Sequence, residues 1–140
     1  MARDKIHNLV VRALKKDDWK VNHDPLYIEY DANQGAFEID LGAEKLISAV
    51  KGNRRIAVEV KTFAGSISNQ FHLALGQFID YEAALATSLS ESDRKLYLAL
   101  PVEVFNKLDS IEFFRQRMLE FKLRFICIDL EIEEIVKWIH

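Results

Sequence analysis

Apolar residues recur along the first stretch of the chain at helical intervals. Ile6, Leu9, Val10, Ala13 and Leu14 share one face of a helix expected over residues 4–16. The polar pair Asp17 and Asp18 ends it, and the period then changes. Residues 19–23 read as extended, and Asp24 with Pro25 turns the chain. Residues 26–30 alternate between apolar and polar, as a half-buried strand does. A turn over 31–35 leads to a strand over 37–41. Strands over 46–51 and 54–62 follow, joined by Gly52 and Asn53 as a short hairpin turn.

Gly65 and Ser66 interrupt this pattern before a long helix over 67–87. Its inward stripe reads as Phe71, Leu75, Phe78, Ile79 and Leu85. Residues 95–101 form an apolar run, expected to be a strand covered on both faces. Helices over 102–106 and 111–121 lead to a second buried strand over 123–130. An alternating strand over 134–139 closes the series. The order is α, several strands, a long α, β, α, β, β, with no repeat or linker. It predicts an α/β protein: one domain over residues 1–140, built as an α/β/α sandwich with a mixed central sheet. A hairpin followed by βα crossovers, with no glycine-rich phosphate loop, argues against a doubly wound nucleotide fold.

Composition changes the picture in three places. With 49% hydrophobic and 29% charged residues, the 140-residue chain can bury a core. No apolar run approaches bilayer length, and residues 1–7 lack the pattern of a secretion signal. The single Cys127 lies in an apolar strand and reads as a buried structural thiol. A cytoplasmic location is therefore expected, with no membrane partner. The net charge of −3 argues mildly against a strong stand-alone DNA binder, whose affinity comes from neutralising phosphates. The net charge leaves room for a local basic face. Lys5, Arg12, Lys15 and Lys16 lie in the first helix, and Lys45, Lys51, Arg54 and Arg55 flank the chemistry described next. Much of the acidity sits at Asp129, Glu131, Glu133 and Glu134.

That chemistry is Asp40, followed by Glu59-Val60-Lys61. Strand alternation puts Glu59 and Lys61 on one face and Val58 and Val60 on the other. Two carboxylates and an ammonium can thus converge beside a sheet. The carboxylates can hold a hard cation such as Mg²⁺, and the lysine can orient water or stabilise developing phosphate charge. The competing reading is plain: such a pattern is short, and an E-x-K on a strand is more often a surface ion pair. Gln77, on the long helix that follows, can reach the same place if it faces the sheet.

A first helix, an Asp, an E-x-K strand and a helix with Gln77 four residues before Tyr81 resemble the PD-(D/E)XK nuclease superfamily over roughly the first 85 residues. A resemblance nearly end to end is to the XisH family. It is carried by residues 1–16 (MARDKIHNLVVRALKK), 23–27 (HDPLY), 39–46 (IDLGAEKL), 56–61 (IAVEVK), 75–78 (LGQF) and 135–139 (IVKWI). The resemblance implies a restriction-endonuclease-like fold. It also implies a part in programmed excision of the fdxN DNA element during heterocyst formation in cyanobacteria. The implied partners are DNA, a companion excision factor XisI and a separate site-specific recombinase. It implies further that Asp40 and Glu59, with the Val60 carbonyl, hold Mg²⁺ or Mn²⁺, that Lys61 positions the attacking water, and that Gln77 supports the site. Lys45, Lys51, Arg54 and Arg55 become candidate DNA contacts, and a homodimer would suit a two-fold substrate. One position departs from the pattern: where junction resolvases carry a first-helix glutamate, this chain has His7, a ligand better suited to Mn²⁺ or Zn²⁺. The alternative is a non-catalytic accessory protein that binds XisI, the recombinase or DNA.

Overall fold

The five apolar residues of the first stripe are all buried, and they lie on helix α1 (Arg3–Lys16). Asp18, at φ 66°, takes the left-handed conformation that ends it, and the Trp19 amide donates back to the Leu14 carbonyl. The computed structural model describes residues 3–48 and 52–140. After α1 come β1 (Lys20–His23), β2 (Leu26–Asp31), β3 (Gly35–Ile39), β4 (Leu41–Ser48) and β5 (Gly52–Val60). Then follow α2 (Ile67–Thr87), β6 (Lys95–Pro101), α3 (Val102–Ser110), α4 (Glu112–Glu120), β7 (Phe125–Asp129) and β8 (Glu134–Ile139).

Six strands form one mixed sheet in the order β1-β4-β5-β6-β7-β8. The β5–β6 and β6–β7 pairs are parallel, and the β1–β4, β4–β5 and β7–β8 pairs antiparallel. The hairpin β2–β3 stands apart as a two-stranded ribbon. Alternation divides the core in two. On one face Ile56, Val58, Tyr97, Ala99, Ile126 and Ile128 meet α1. On the other, Ala57, Leu96, Leu98, Phe125 and Cys127 meet α2, α3, α4 and the hairpin. The expected mixed α/β sandwich is therefore what forms. Burial pushes the Cys127 thiol up to about 11, as an inert core cysteine requires.

The strand reading needs correction around the site. Residues 37–41 are not one strand. β3 stops at Ile39, Asp40 sits in a bend, and Leu41 opens β4. β4 covers Gly42 to Lys45, which the pattern leaves unassigned, because their polar groups find partners distant in sequence. Glu44 accepts from Asn22 (2.9 Å) and Asn53 (2.8 Å), while Lys45 donates to the Asp17 carbonyl (2.9 Å). Gly52 is not a turn residue but lies in β5, opposite Ser48; residues 49–51 between them lie outside the described residues. On α2 the stripe is also rotated. Ala74, Tyr81 and Ala84 are buried, whereas Ile79 is 43% exposed, so it belongs to the solvent side. Among the described residues, no helix is long and apolar enough to cross a membrane.

Candidate functional site

Each of the Asp40 and Glu59 carboxylates accepts a backbone amide from the other's segment. The Asp40 amide donates to Glu59 Oε1 at 3.1 Å, and the Val60 amide donates to Asp40 Oδ2 at 2.8 Å. The register makes this possible: Leu41 pairs with Val58, so the bend before β4 lies beside the end of β5. Lys61 follows β5 directly, and its amide donates to the Ala99 carbonyl at 2.8 Å, which keeps it on the strand path. Its side chain therefore shares the α2 face with Glu59. Lys61 Nζ stands 3.5 Å from Glu59 Oε2 and donates to Oε1 of Gln77 on α2. Strand parity and helix position bring together Asp40, Glu59, Lys61 and Gln77.

The cluster is closed in. Glu59 is only 3% exposed. Burial, and then the neighbouring Asp40 charge, raise its pKa to about 7, against the opposing pull of Lys61. Two carboxylates this close need a positive charge or a shared proton between them. Among the described residues no group of three or more His, Cys, Asp or Glu comes together. A cation here would take two carboxylates and a backbone carbonyl such as that of Val60, with water completing its shell, a donor set that suits Mg²⁺ or Mn²⁺.

The other candidates lie elsewhere. His7 Nε2 is 2.9 Å from Asp24 Oδ1, on the helix that packs the opposite face. Arg54 and Arg55 point to opposite faces of β5. Arg54 donates to the Tyr97 hydroxyl at 2.8 Å. Arg55 reaches Glu91 (2.7 Å), Asp93 (2.6 Å) and the Ser90 carbonyl (3.0 Å). Lys51 lies outside the described residues. A cavity of about 540 Å³ lies between β2 and the loop after α2 and is lined by Tyr27, Tyr30 and Leu89 among others; neither Asp40 nor Glu59 borders it.

Sequence reasoning passed over Arg94. Its side chain is fully buried, with Nη1 donating to the Ile56 (2.8 Å) and Ala43 (3.3 Å) carbonyls and Nε to Glu91. It staples β4 and β5 to the loop before β6. A charged residue opening an apolar strand carries no local signal of such a role. The pairing of Trp19 with Trp138, 5.7 Å apart, was equally hidden, because the two residues sit near opposite ends of the chain.

Fold and site together define an α/β sandwich protein with a buried carboxylate pair and a lysine at the end of its central strand. The chain belongs to the XisH family, whose model matches residues 1–136. It is similar to the crystal structure of an fdxN element excision controlling factor protein from Anabaena variabilis, at 37% identity. That match covers 99% of this chain and all of the other, with a TM-score of 0.85. It is similar as well to an XisH family protein from Nostoc punctiforme, at 35% identity, with 96% and 98% coverage and a TM-score of 0.81. No curated protein matches the chain.

Proposed function

We propose that this protein is a nuclease-fold factor that acts at DNA in excision of an fdxN-type element, with Asp40, Glu59, Lys61 and Gln77 as a metal-dependent phosphodiesterase site. The observation that carries the reading is the convergence of these four side chains from a bend, a strand, its extension and a helix. The restriction-endonuclease-like ancestry belongs to the same proposal: a mixed sheet delivers the acidic pair and the lysine beside a helix that supplies a glutamine. The excision setting rests on the name borne by the Anabaena variabilis relative.

In this reading Asp40, Glu59 and the Val60 carbonyl hold Mg²⁺ or Mn²⁺, which when bound supplies charge neutralisation at a scissile phosphate. Lys61 leaves its Gln77 contact to orient water and to meet negative charge developing on phosphate oxygen. Gln77 holds Lys61 in place until then. DNA is the substrate, XisI and a recombinase are the partners, and a homodimer addresses both strands.

The test is cleavage of branched and linear DNA by purified protein with Mg²⁺ or Mn²⁺. The expected result is cutting that Lys61→Ala lowers by about a hundredfold or more. A calorimetric Mn²⁺ titration gives a second readout: wild type binds and Glu59→Ala does not. Equal Mn²⁺ binding by both would make the carboxylates structural. A second reading, a non-cutting accessory that docks XisI, is favoured by one observation: Arg55 is engaged internally by Glu91 and Asp93. A wild type that cuts no DNA form would select it.

A further inference from the structure

On the α1 face of the sheet, five residues back along β5 from Glu59, lies a second chemical cluster. Trp19 and Trp138 approach within 5.7 Å, tilted by 37°. The Arg54 guanidinium lies 5.8 Å from the Trp19 ring and 5.7 Å from the Trp138 ring. The His140 ring stacks on Trp138 at 5.8 Å, only 5° from parallel. Lys45 Nζ stands 5.8 Å from the Trp19 ring. These residues, with Asp17, line a pocket of about 180 Å³.

The polar groups around it are partly spent. Trp19 Nε1 donates to Asp17 Oδ2 at 3.1 Å, and Lys45 donates to the Asp17 carbonyl. Arg54 uses Nη2 for Tyr97 and for a longer 3.5 Å approach to His140 Nδ1. Its Nε and Nη1 have no hydrogen-bond partner among the described residues. Burial, and then the charges of Arg54 and Lys95, hold His140 below its usual pKa, so its ring is neutral at pH 7. The pocket therefore combines indole faces, a stacked neutral ring and two cations against one carboxylate. It is smaller than the roughly 300 Å³ at which clefts begin to enclose a whole drug-sized ligand. Its size suits part of a ligand, such as a single planar ring, rather than a whole nucleotide.

We propose that this pocket binds a nucleobase carrying a phosphate, the base packing against Trp138 and His140 over a floor formed by the buried Trp19, and the phosphate meeting Lys45 and Arg54. Indole faces hold bases of any identity through stacking, and cations at the rim hold the backbone, which is how single strands are gripped without sequence reading. The parallel His140 ring shows that Trp138 accepts a flat heteroaromatic partner, and His140 is itself exposed. A paired base in a duplex offers no such face. This site stands on its own geometry and does not depend on the carboxylate cluster being catalytic.

Both tryptophans of the chain line the pocket, so fluorescence excited selectively at tryptophan reports on it. The experiment titrates the full chain in EDTA, which keeps the metal question out, with deoxyadenosine monophosphate, ribose 5-phosphate, a short single-stranded oligonucleotide and its duplex. Saturable quenching by the mononucleotide and the single strand is expected, with the duplex at least about tenfold weaker and ribose 5-phosphate silent. A single strand about tenfold tighter than the mononucleotide identifies a strand as the natural occupant; equal affinities identify a free nucleotide. Lys45→Ala should weaken both by severalfold, and Trp138→Leu by about tenfold or more, with thermal melts checking that each variant is folded. Calorimetry on the same samples keeps the result readable if Trp138→Leu melts early. No quenching by nucleotide or oligonucleotide, quenching by ribose 5-phosphate alone, or affinity unchanged in folded Lys45→Ala would each overturn the proposal.

Discussion

Glu59 keeps its proton to a higher pH than an ordinary carboxylic acid, because its ionised form must sit buried beside Asp40. Its ordinary value is 4.5 and its value here about 7, so the folded chain binds this proton more tightly than the unfolded chain does. The stabilisation is complete below pH 4.5 and is lost as pH rises through about 7. Its full size is on the order of 3 kcal/mol. Urea denaturation across that window should show wild-type stability falling with pH relative to Glu59→Gln, which keeps the shape and cannot ionise. Parallel curves for the two proteins would mean that Glu59 titrates normally.

At the scale of elements, β4 carries the most consequence. It is an interior strand, between β1 and β5, yet Glu44 and Lys45 break its apolar pattern, and their partners Asn22, Asn53 and Asp17 come from other segments. No local rule marks residues 42–45 as strand, so the pattern splits β4 and puts Asp40 inside a strand when it occupies the bend before one. What strand parity did reveal was the shared face of Glu59 and Lys61, because alternation needs no knowledge of neighbours. The order strand then helix likewise pointed Gln77 toward them. Gly42 shows how tightly β4 is fitted. A methyl group there would lie 3.1 Å from His23 Cβ and 3.2 Å from Arg94 Nη1. Arg94 is pinned by two strand carbonyls, so it cannot move aside without breaking those bonds. Gly42→Ala should destabilise the protein by roughly 1–3 kcal/mol, the usual cost of overpacking. Chemical denaturation measures it, and a loss below about 0.5 kcal/mol would mean that the Arg94 staple has slack.

Over the whole molecule, charge is arranged more by internal pairing than by display. The net charge of −3 leaves little general attraction for nucleic acid. Arg55, which composition offers as a phosphate contact, is neutralised by Glu91 and Asp93. DNA affinity measured across a salt series should therefore keep the same slope in Arg55→Ala, whereas loss of a true phosphate contact lowers its magnitude by about one. A lower slope in Arg55→Ala would show that the ion pairs open on binding. The first helix and the segment before the last strand are also tied together, Arg12 to Glu133 at 2.7 Å and Lys16 to the Ile132 carbonyl at 2.8 Å. Regions distant in sequence thus close one face of the sheet.

The exchange of backbone bonds between Asp40 and Glu59 makes the main chain a listener at the site. Two amides, those of Asp40 and Val60, donate straight into the two carboxylates. Their nitrogen and proton resonances should shift together as Glu59 titrates near pH 7; under the proposed metal-binding reading they should shift again on addition of Mg²⁺ and broaden on addition of paramagnetic Mn²⁺. A two-dimensional amide spectrum would then follow protonation, metal and local opening of this corner at once, with no probe attached. Were those two signals indifferent to pH while Glu59 titrates, the clasp would not persist in solution.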